Sequence, residues 1–220
     1  MSRVERVIPT PHGDGRLVTR RAKSPFATLL LSHGAGGGID AGDLEALARD
    51  LPAQGITVVL FEQPWRVAGR KVATPPPTLD AAFTAAADFM RVRTPLVVGG
   101  RSAGARSAAR TAKHLGARGC LALSFPLHPP GRPEKSRLDE LTGAGVPTLV
   151  VQGERDTFGR PDEFPADLDV CVVPDADHGL KVPRRGSVSQ DEAHGIVVES
   201  ALEWIVREIT GPEVRSEAGP

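Results

Sequence analysis

Three residues of this chain could carry nucleophilic chemistry together. Ser102 sits in Gly100-Arg101-Ser102-Ala103-Gly104, directly after the apolar run PLVVG. A Gly-x-Ser-x-Gly pattern between a strand and a helix marks a sharp turn that presents a serine at the end of a sheet, with the glycines letting the two backbones approach. A serine hydroxyl is a poor nucleophile until a histidine takes its proton, and a carboxylate must hold that histidine in the right tautomer. Asp156 in VQGERD lies 54 residues after Ser102, and His178 in DADHGL a further 22. Serine, acid, histidine is a chain order in which such triads are built. Together the three would transfer an acyl group from an ester or thioester through an acyl-enzyme.

Each assignment has a rival. Glu154 is an alternative acid, and Asp175 or Asp177 could serve only by contact from an adjacent loop. Asp156 could instead simply form an Asx turn. His128 is the rival base, whereas His12, His114 and His194 fall away from the sheet edge where Ser102 emerges. The bland reading of Ser102 is a helix N-cap.

A tetrahedral intermediate also needs preorganised N–H donors. The N–H of Ala103 follows the nucleophile, and that of Ala35 in His33-Gly34-Ala35-Gly36 is the expected second donor. Gly34 and Gly36 would let the backbone face the substrate. Trp65, Arg101 and His128 are further candidates for lining the substrate site. Arg101 could grip a substrate carboxylate through its fork, or pair with a carboxylate of the protein itself. His128 suits shaping its loop better than catalysis.

Positioning these residues requires a sheet whose strands end at one edge. Apolar runs at 27–32, 56–61, 95–99, 119–125, 147–152 and 169–173 read as strands. They are apolar on both faces, as buried parallel strands are. Helices are expected at 41–53 (with Asp40 as N-cap and Asp43 in the first turn), 79–92, 103–115, about 134–141, and 190–209 behind a Ser189–Glu192 capping box. An N-terminal hairpin, Val4–Ile8 with Arg16–Arg20, precedes them. The expected fold is a three-layer α/β sandwich: a mostly parallel sheet of six to eight strands with helices on both faces. It would form one domain over 1–210, with 211–220 as a flexible tail. In such sheets ligands bind outside the carboxyl ends of the strands, and the residues named above follow those ends.

Composition excludes other classes. Lys plus Arg and Asp plus Glu both number 27, so the net charge is zero and the basic excess of a nucleic-acid binder is missing. No apolar run approaches the roughly 18–20 residues of a membrane span, and the N-terminus lacks a signal-peptide core. The two cysteines, Cys120 and Cys171, lie in apolar runs that read as buried strands, and no metal-ligand spacing is present. The expectation is a cytoplasmic protein without cofactor or metal, taking a small acyl substrate, as a monomer or small homo-oligomer. A dinucleotide site is the competing pattern: Gly36-x-Gly38-x-x-Ala41, with Glu62 ending the next strand. Its first glycine should close the strand at once, yet residues 32–35 intervene, and it leaves Ser102, Asp156 and His178 without a purpose.

The segments SHGAGGG, GGRSAG, FPLHPPGRPEK, VQGERDTFG and DADHGL together resemble the α/β-hydrolase superfamily. They are most similar to its small lidless, dienelactone-hydrolase-like branch and to the group named for testis-expressed protein thirty. The resemblance runs from about Val4 to Ile209. It implies Ser102 as nucleophile, Asp156 as acid and His178 as base. Dienelactone hydrolases proper use cysteine as nucleophile, so their substrate is not implied. Lids of this superfamily are usually inserted between nucleophile and acid. Here the intervening segment is filled by expected sheet and helix elements, which implies an open cleft. Some related proteins serve as subunits of complexes, so a scaffold or binding role with little turnover is the second function the resemblance allows.

Overall fold

The computed structural model describes residues 3–211; all but the first residue of the expected tail lies outside them. Eight strands form one sheet in the order β1-β2-β4-β3-β5-β6-β7-β8. The hairpin strands β1 (Arg3–Thr10) and β2 (Gly13–Arg20) pair antiparallel, and β2 runs antiparallel to β4 (Ile56–Glu62). From β4 through β3 (Ala27–Ser32), β5 (Leu96–Arg101), β6 (Gly119–Leu123), β7 (Thr148–Gly153) and β8 (Asp169–Val173), every pairing is parallel.

Alternation along the strands builds a core on each face, because successive side chains point to opposite sides. Leu29 and Leu31 of β3 join Val58, Leu60, Val97, Leu121 and Val151 under helices α1 (Gly42–Asp50) and α6 (Gln190–Thr210). Leu30 between them joins Val59, Phe61, Val98, Cys120 and Val150 under α3 (Pro76–Met90) and α4 (Ala103–Thr111). Short helices α2 (Pro64–Val67) and α5 (Leu138–Thr142) fill connections. No cap domain separates β5 from β7.

Several local expectations shift. Asp40 does not cap α1: Ala41 occupies the cap position without a side-chain bond, and the helix stops at Asp50 before a 3-10 turn containing Pro52. Helix α3 starts at Pro76, where a proline lacks only an N–H that would be unpaired anyway. The expected helix at 134–141 is a 3-10 turn at Pro133–Lys135 followed by α5. Cys120 is buried, but Cys171 is only partly so, because β8 is the sheet's edge strand and Val172 beside it is exposed. The Ser189–Glu192 capping box is formed, with Glu192 N–H donating to Ser189 Oγ at 3.2 Å and Ser189 N–H to Glu192 Oε2 at 2.7 Å.

The ends of β3 and β5 and the start of α4 meet closely. A Cβ on Gly100 would lie 2.6 Å from the Ser32 carbonyl oxygen and 2.7 Å from the carbonyl carbon of Gly104. A Cβ on Gly104 would collide with that same Ser32 oxygen. Both contacts are with backbone, which cannot rotate aside. Gly104→Ala is therefore expected to destabilise the protein by roughly 2–3 kcal/mol, by the cost of overpacking a tight site. Thermal unfolding should register a drop of about 5–10 °C, and an unchanged transition would show that the helix can back away.

Candidate functional site

Ser102 occupies the turn between β5 and α4 with φ 53° and ψ −110°, a left-handed value that a side-chain-bearing residue rarely adopts. Such a residue costs on the order of 1–3 kcal/mol and persists only where its surroundings over-determine it. Here the Ser102 N–H donates to Leu123 O at 2.9 Å, and Arg106 N–H donates to Ser102 O at 3.1 Å. The helix-cap reading fails, because the Ser102 side chain makes no cap bond to α4. Its Oγ lies instead 3.0 Å from Nε2 of His178.

Nδ1 of His178 lies 2.8 Å from Oδ2 of Asp156. Asp156 is fully buried, and a buried carboxylate is tolerable only when hydrogen-bonded or paired. Three donors meet it: Nε2 of Gln152 at 2.8 Å and His178 at Oδ2, and the Phe158 N–H at 2.8 Å on Oδ1. Since Oδ2 is an acceptor, the proton on the His178 ring belongs at Nδ1, which leaves Nε2 free to accept from Ser102. The Phe158 ring stacks on the imidazole with centroids 4.1 Å apart and planes 28° off parallel. The His178 side chain is 22% exposed, so the ring borders solvent while its carboxylate partner does not.

The rival acids are engaged elsewhere. Glu154 Oε2 accepts from Asp175 N–H, Asp175 Oδ2 from Ser187 N–H, and Asp177 Oδ1 from the N–H groups of Gly179 and Lys181. The rival base is engaged as well. His128 Nε2 lies 2.8 Å from Glu163 Oε2, and its Nδ1 lies 2.9 Å from Pro129 O. No bond joins His128 to Ser102 or Asp156 among the described residues.

His33 orders the loop after β3. Its Nε2 accepts from the Gln63 N–H at 3.1 Å, so Nδ1 carries the proton and donates to Gly34 O at 2.9 Å. Burial lowers the His33 pKa and keeps the ring neutral. The Gly34 carbonyl and the Ala35 N–H belong to one planar trans peptide and point in opposite directions. Drawing the carbonyl toward His33 therefore turns the Ala35 N–H away from it. A Cβ on Gly34 would sit 3.2 Å from Ser102 Cβ, so this peptide passes directly over the serine. Ala35 and Gly36 are exposed at the loop tip, and nothing lies within 4 Å of where a Gly36 Cβ would be. Ala103 is the first residue of α4, where an N–H has no partner inside the helix.

Two candidates for substrate contact turn inward. Trp65 is 3% exposed and packs edge-on against His33 with centroids 5.4 Å apart, which supports the loop more than it lines a cleft. The Arg101 guanidinium does not stand free for a substrate: it faces Asp43 and the main chain of His178. Glu62, the acid of the dinucleotide pattern, is paired with Arg16 at 2.8 Å. Among the described residues, no group of three His, Cys, Asp or Glu side chains is disposed to hold a metal ion, and no helix is long and apolar enough to cross a membrane. Gln152, Phe158 and His33's second bond were not expected from sequence. The single visible signal was the position of Gln152 and Phe158 on either side of Asp156.

Residues 25–206 match the family described as Alpha/beta hydrolase domain. No curated protein matches the chain. Solved structures of similar fold include XC6422 from Xanthomonas campestris, described as an α/β serine hydrolase without lid, at 19% identity and a TM-score of 0.68, with 92% of this chain and 94% of that one covered. Dienelactone hydrolase from Anabaena variabilis aligns at 15% identity and a TM-score of 0.72, covering 94% of this chain and 97% of that one. Est1E from Butyrivibrio proteoclasticus aligns at 14% identity and 0.69, covering 94% and 99%. With the family matched over most of its length and a sheet uninterrupted by any cap, this chain belongs to the α/β hydrolases.

Proposed function

We propose that the protein is a serine hydrolase that cleaves a small, soluble ester or thioester through an acyl-enzyme. The observation that carries this reading is the unbroken chain of hydrogen bonds from Ser102 Oγ through His178 to buried Asp156. Ser102 Oγ attacks the acyl carbon as its proton passes to His178 Nε2. Asp156 does not take that proton; it stabilises the imidazolium that forms. The negative charge on the acyl oxygen is met by the N–H groups of Ala103 and Ala35. The imidazolium then protonates the leaving group, and water activated by the same histidine releases the acid. Gly34 and Gly36 give the acyl group room beside Ser102. The lack of a cap favours a soluble substrate over one drawn from a lipid surface, and the dienelactone hydrolase among the structural neighbours points to the same bond type.

A fluorophosphonate probe tests the nucleophile. Wild type should be labelled at Ser102 and Ser102→Ala should not. Absence of labelling in wild type, or equal labelling of Ser102→Ala, would sink the catalytic reading in favour of a scaffold with a hydrolase fold. On a p-nitrophenyl ester, Asp156→Asn should lower kcat about 10⁴-fold with little change in KM, because the histidine loses its correct tautomer. His33→Phe should lower kcat by about 10²–10³-fold through displacement of the Ala35 donor. If His33→Phe retained full kcat, Ala35 would not be an oxyanion donor.

A further inference from the structure

Arg101 and Asp43 have no part in the proton transfers above, yet they are linked to the residue that performs them. The Arg101 side chain is 16% exposed. Its Nε lies 3.5 Å from Asp43 Oδ2, and its terminal NH2 group donates to the main-chain carbonyl of His178 at 3.1 Å. Asp43, in the first turn of α1, has a side chain only 1% exposed. Neither of its carboxylate oxygens has a hydrogen-bond partner in good geometry. Burial raises the Asp43 pKa, and the positive charge of Arg101 opposes that shift. His194 of α6 lies beside the same helical turn: a Cβ on Gly42 would be 2.9 Å from its ring. A carboxylate this deeply buried is tolerable only beside a compensating charge, and Arg101 supplies that charge.

The turn carrying His178 is shaped by its own hydrogen bonds, and Gln190 Nε2 of α6 donates to its Leu180 carbonyl at 2.9 Å. Asp177 Oδ1 accepts from Gly179 N–H at 2.7 Å and Lys181 N–H at 3.0 Å, and Leu180 N–H donates to Asp177 O at 2.9 Å. None of those bonds reaches the main chain of His178 itself. Among the described residues, the bond from Arg101 is the one made to the main chain of His178 itself. Arg101 also directly precedes Ser102 in the chain. One side chain thus spans from the strand that presents the nucleophile to the loop that presents the base.

We propose that Arg101 and buried Asp43 form a positioning pair. Asp43 holds the guanidinium in place, the guanidinium holds the His178 carbonyl, and the imidazole is thereby kept within reach of Ser102. The purpose assigned to the pair rests on the hydrolase reading. Arginine suits it because a planar fork can serve two acceptors in different directions, whereas an ammonium is a single point charge. A misplacement of about 1 Å between reacting groups can cost about 10²-fold in rate.

The test uses Arg101→Gln, Arg101→Lys and Asp43→Asn in the full chain. Three readouts are followed: melting temperature, kcat and KM on p-nitrophenyl acetate, and the low-field proton NMR signal of His178 Nδ1–H, identified by its loss in His178→Ala. Arg101→Gln should lower kcat about 10- to 100-fold with KM within about twofold, and should broaden the imidazole signal. Arg101→Lys should restore part of both, and Asp43→Asn should fall between wild type and Arg101→Gln. Unchanged kcat with an intact imidazole signal would overturn the proposal. So would a rise in KM alone, which would make Arg101 a substrate contact. If wild type shows neither turnover nor fluorophosphonate labelling, the hydrolase reading fails and the NMR signal alone decides. Its broadening in both Arg101→Gln and Asp43→Asn would then uphold the positioning, and its persistence would refute it. Should Arg101→Gln be too unstable to measure, Asp43→Asn, which preserves side-chain shape, is followed by the same three readouts: a lowered kcat with a broadened imidazole signal upholds the pair, and wild-type behaviour refutes it.

Discussion

The site depends on one steric constraint: three backbone segments converge on the carbonyl oxygen of Ser32. The ends of β3 and β5 lie side by side in the sheet, and the first turn of α4 packs onto both. Gly100 and Gly104 leave no room there for a side chain. That closeness bends the chain sharply at Ser102 and drives its φ to 53°. A serine in an ordinary helix-cap geometry would spend its hydroxyl on the helix. In this strained geometry the hydroxyl stands clear of the helix and meets His178. Gly34, following Ser32 by two residues, is carried over the serine by the same convergence. Ser102, the backbone on either side of it and the loop glycines are thus set by a single packing event.

Electrostatics adds the second constraint. Asp156 has no exposure, so its charge must be met within the protein. Gln152 at the end of β7, the Phe158 N–H and the His178 ring supply that. Fixing the carboxylate this way leaves the imidazole only one useful orientation, and Phe158 stacked on its face limits tilting. His33 works in parallel on the other side of Ser102. Burial keeps it neutral, and its two ring nitrogens face a donor and an acceptor that permit only one tautomer. Both histidines are therefore held in a defined tautomer, one with Nε2 facing the Ser102 hydroxyl and one with Nδ1 facing the Gly34 carbonyl. Arg101 joins the two halves by bonding to the main chain of His178 from the residue next to Ser102.

Much of this was legible in the chain. Apolar runs on both faces required a covered parallel sheet, and the loops after β3, β5, β7 and β8 had to lie at one edge because parallel strands end together. The choice among acids was not legible. Glu154, Asp156, Asp175 and Asp177 all lie in two adjacent loops, and sequence distance says nothing about which carboxylate turns toward the histidine. Tertiary placement decides it: the other three meet backbone N–H groups and make no bond to the imidazole, whereas Asp156 Oδ2 lies 2.8 Å from it. His128 and Trp65 are drawn onto partners far away in the chain, Glu163 and His33, that periodicity cannot reveal. The capping of α1 by Asp40 failed for a similar reason, since a cap bond depends on rotation of a single residue.

Residue type and spacing were thus enough for the sheet, its covered faces, the glycine pair around Ser102 and the chain order of Ser102, Asp156 and His178. Those follow from patterns with periods of two and 3.6 and from the steric uniqueness of glycine, all of them local rules. Three-dimensional packing was needed to choose which carboxylate serves His178, to select the tautomer of His33, and to turn Arg101 inward to Asp43. These depend on distances between segments far apart in the chain. A change of about 1 Å in packing makes or breaks a hydrogen bond and leaves no trace in residue type or spacing.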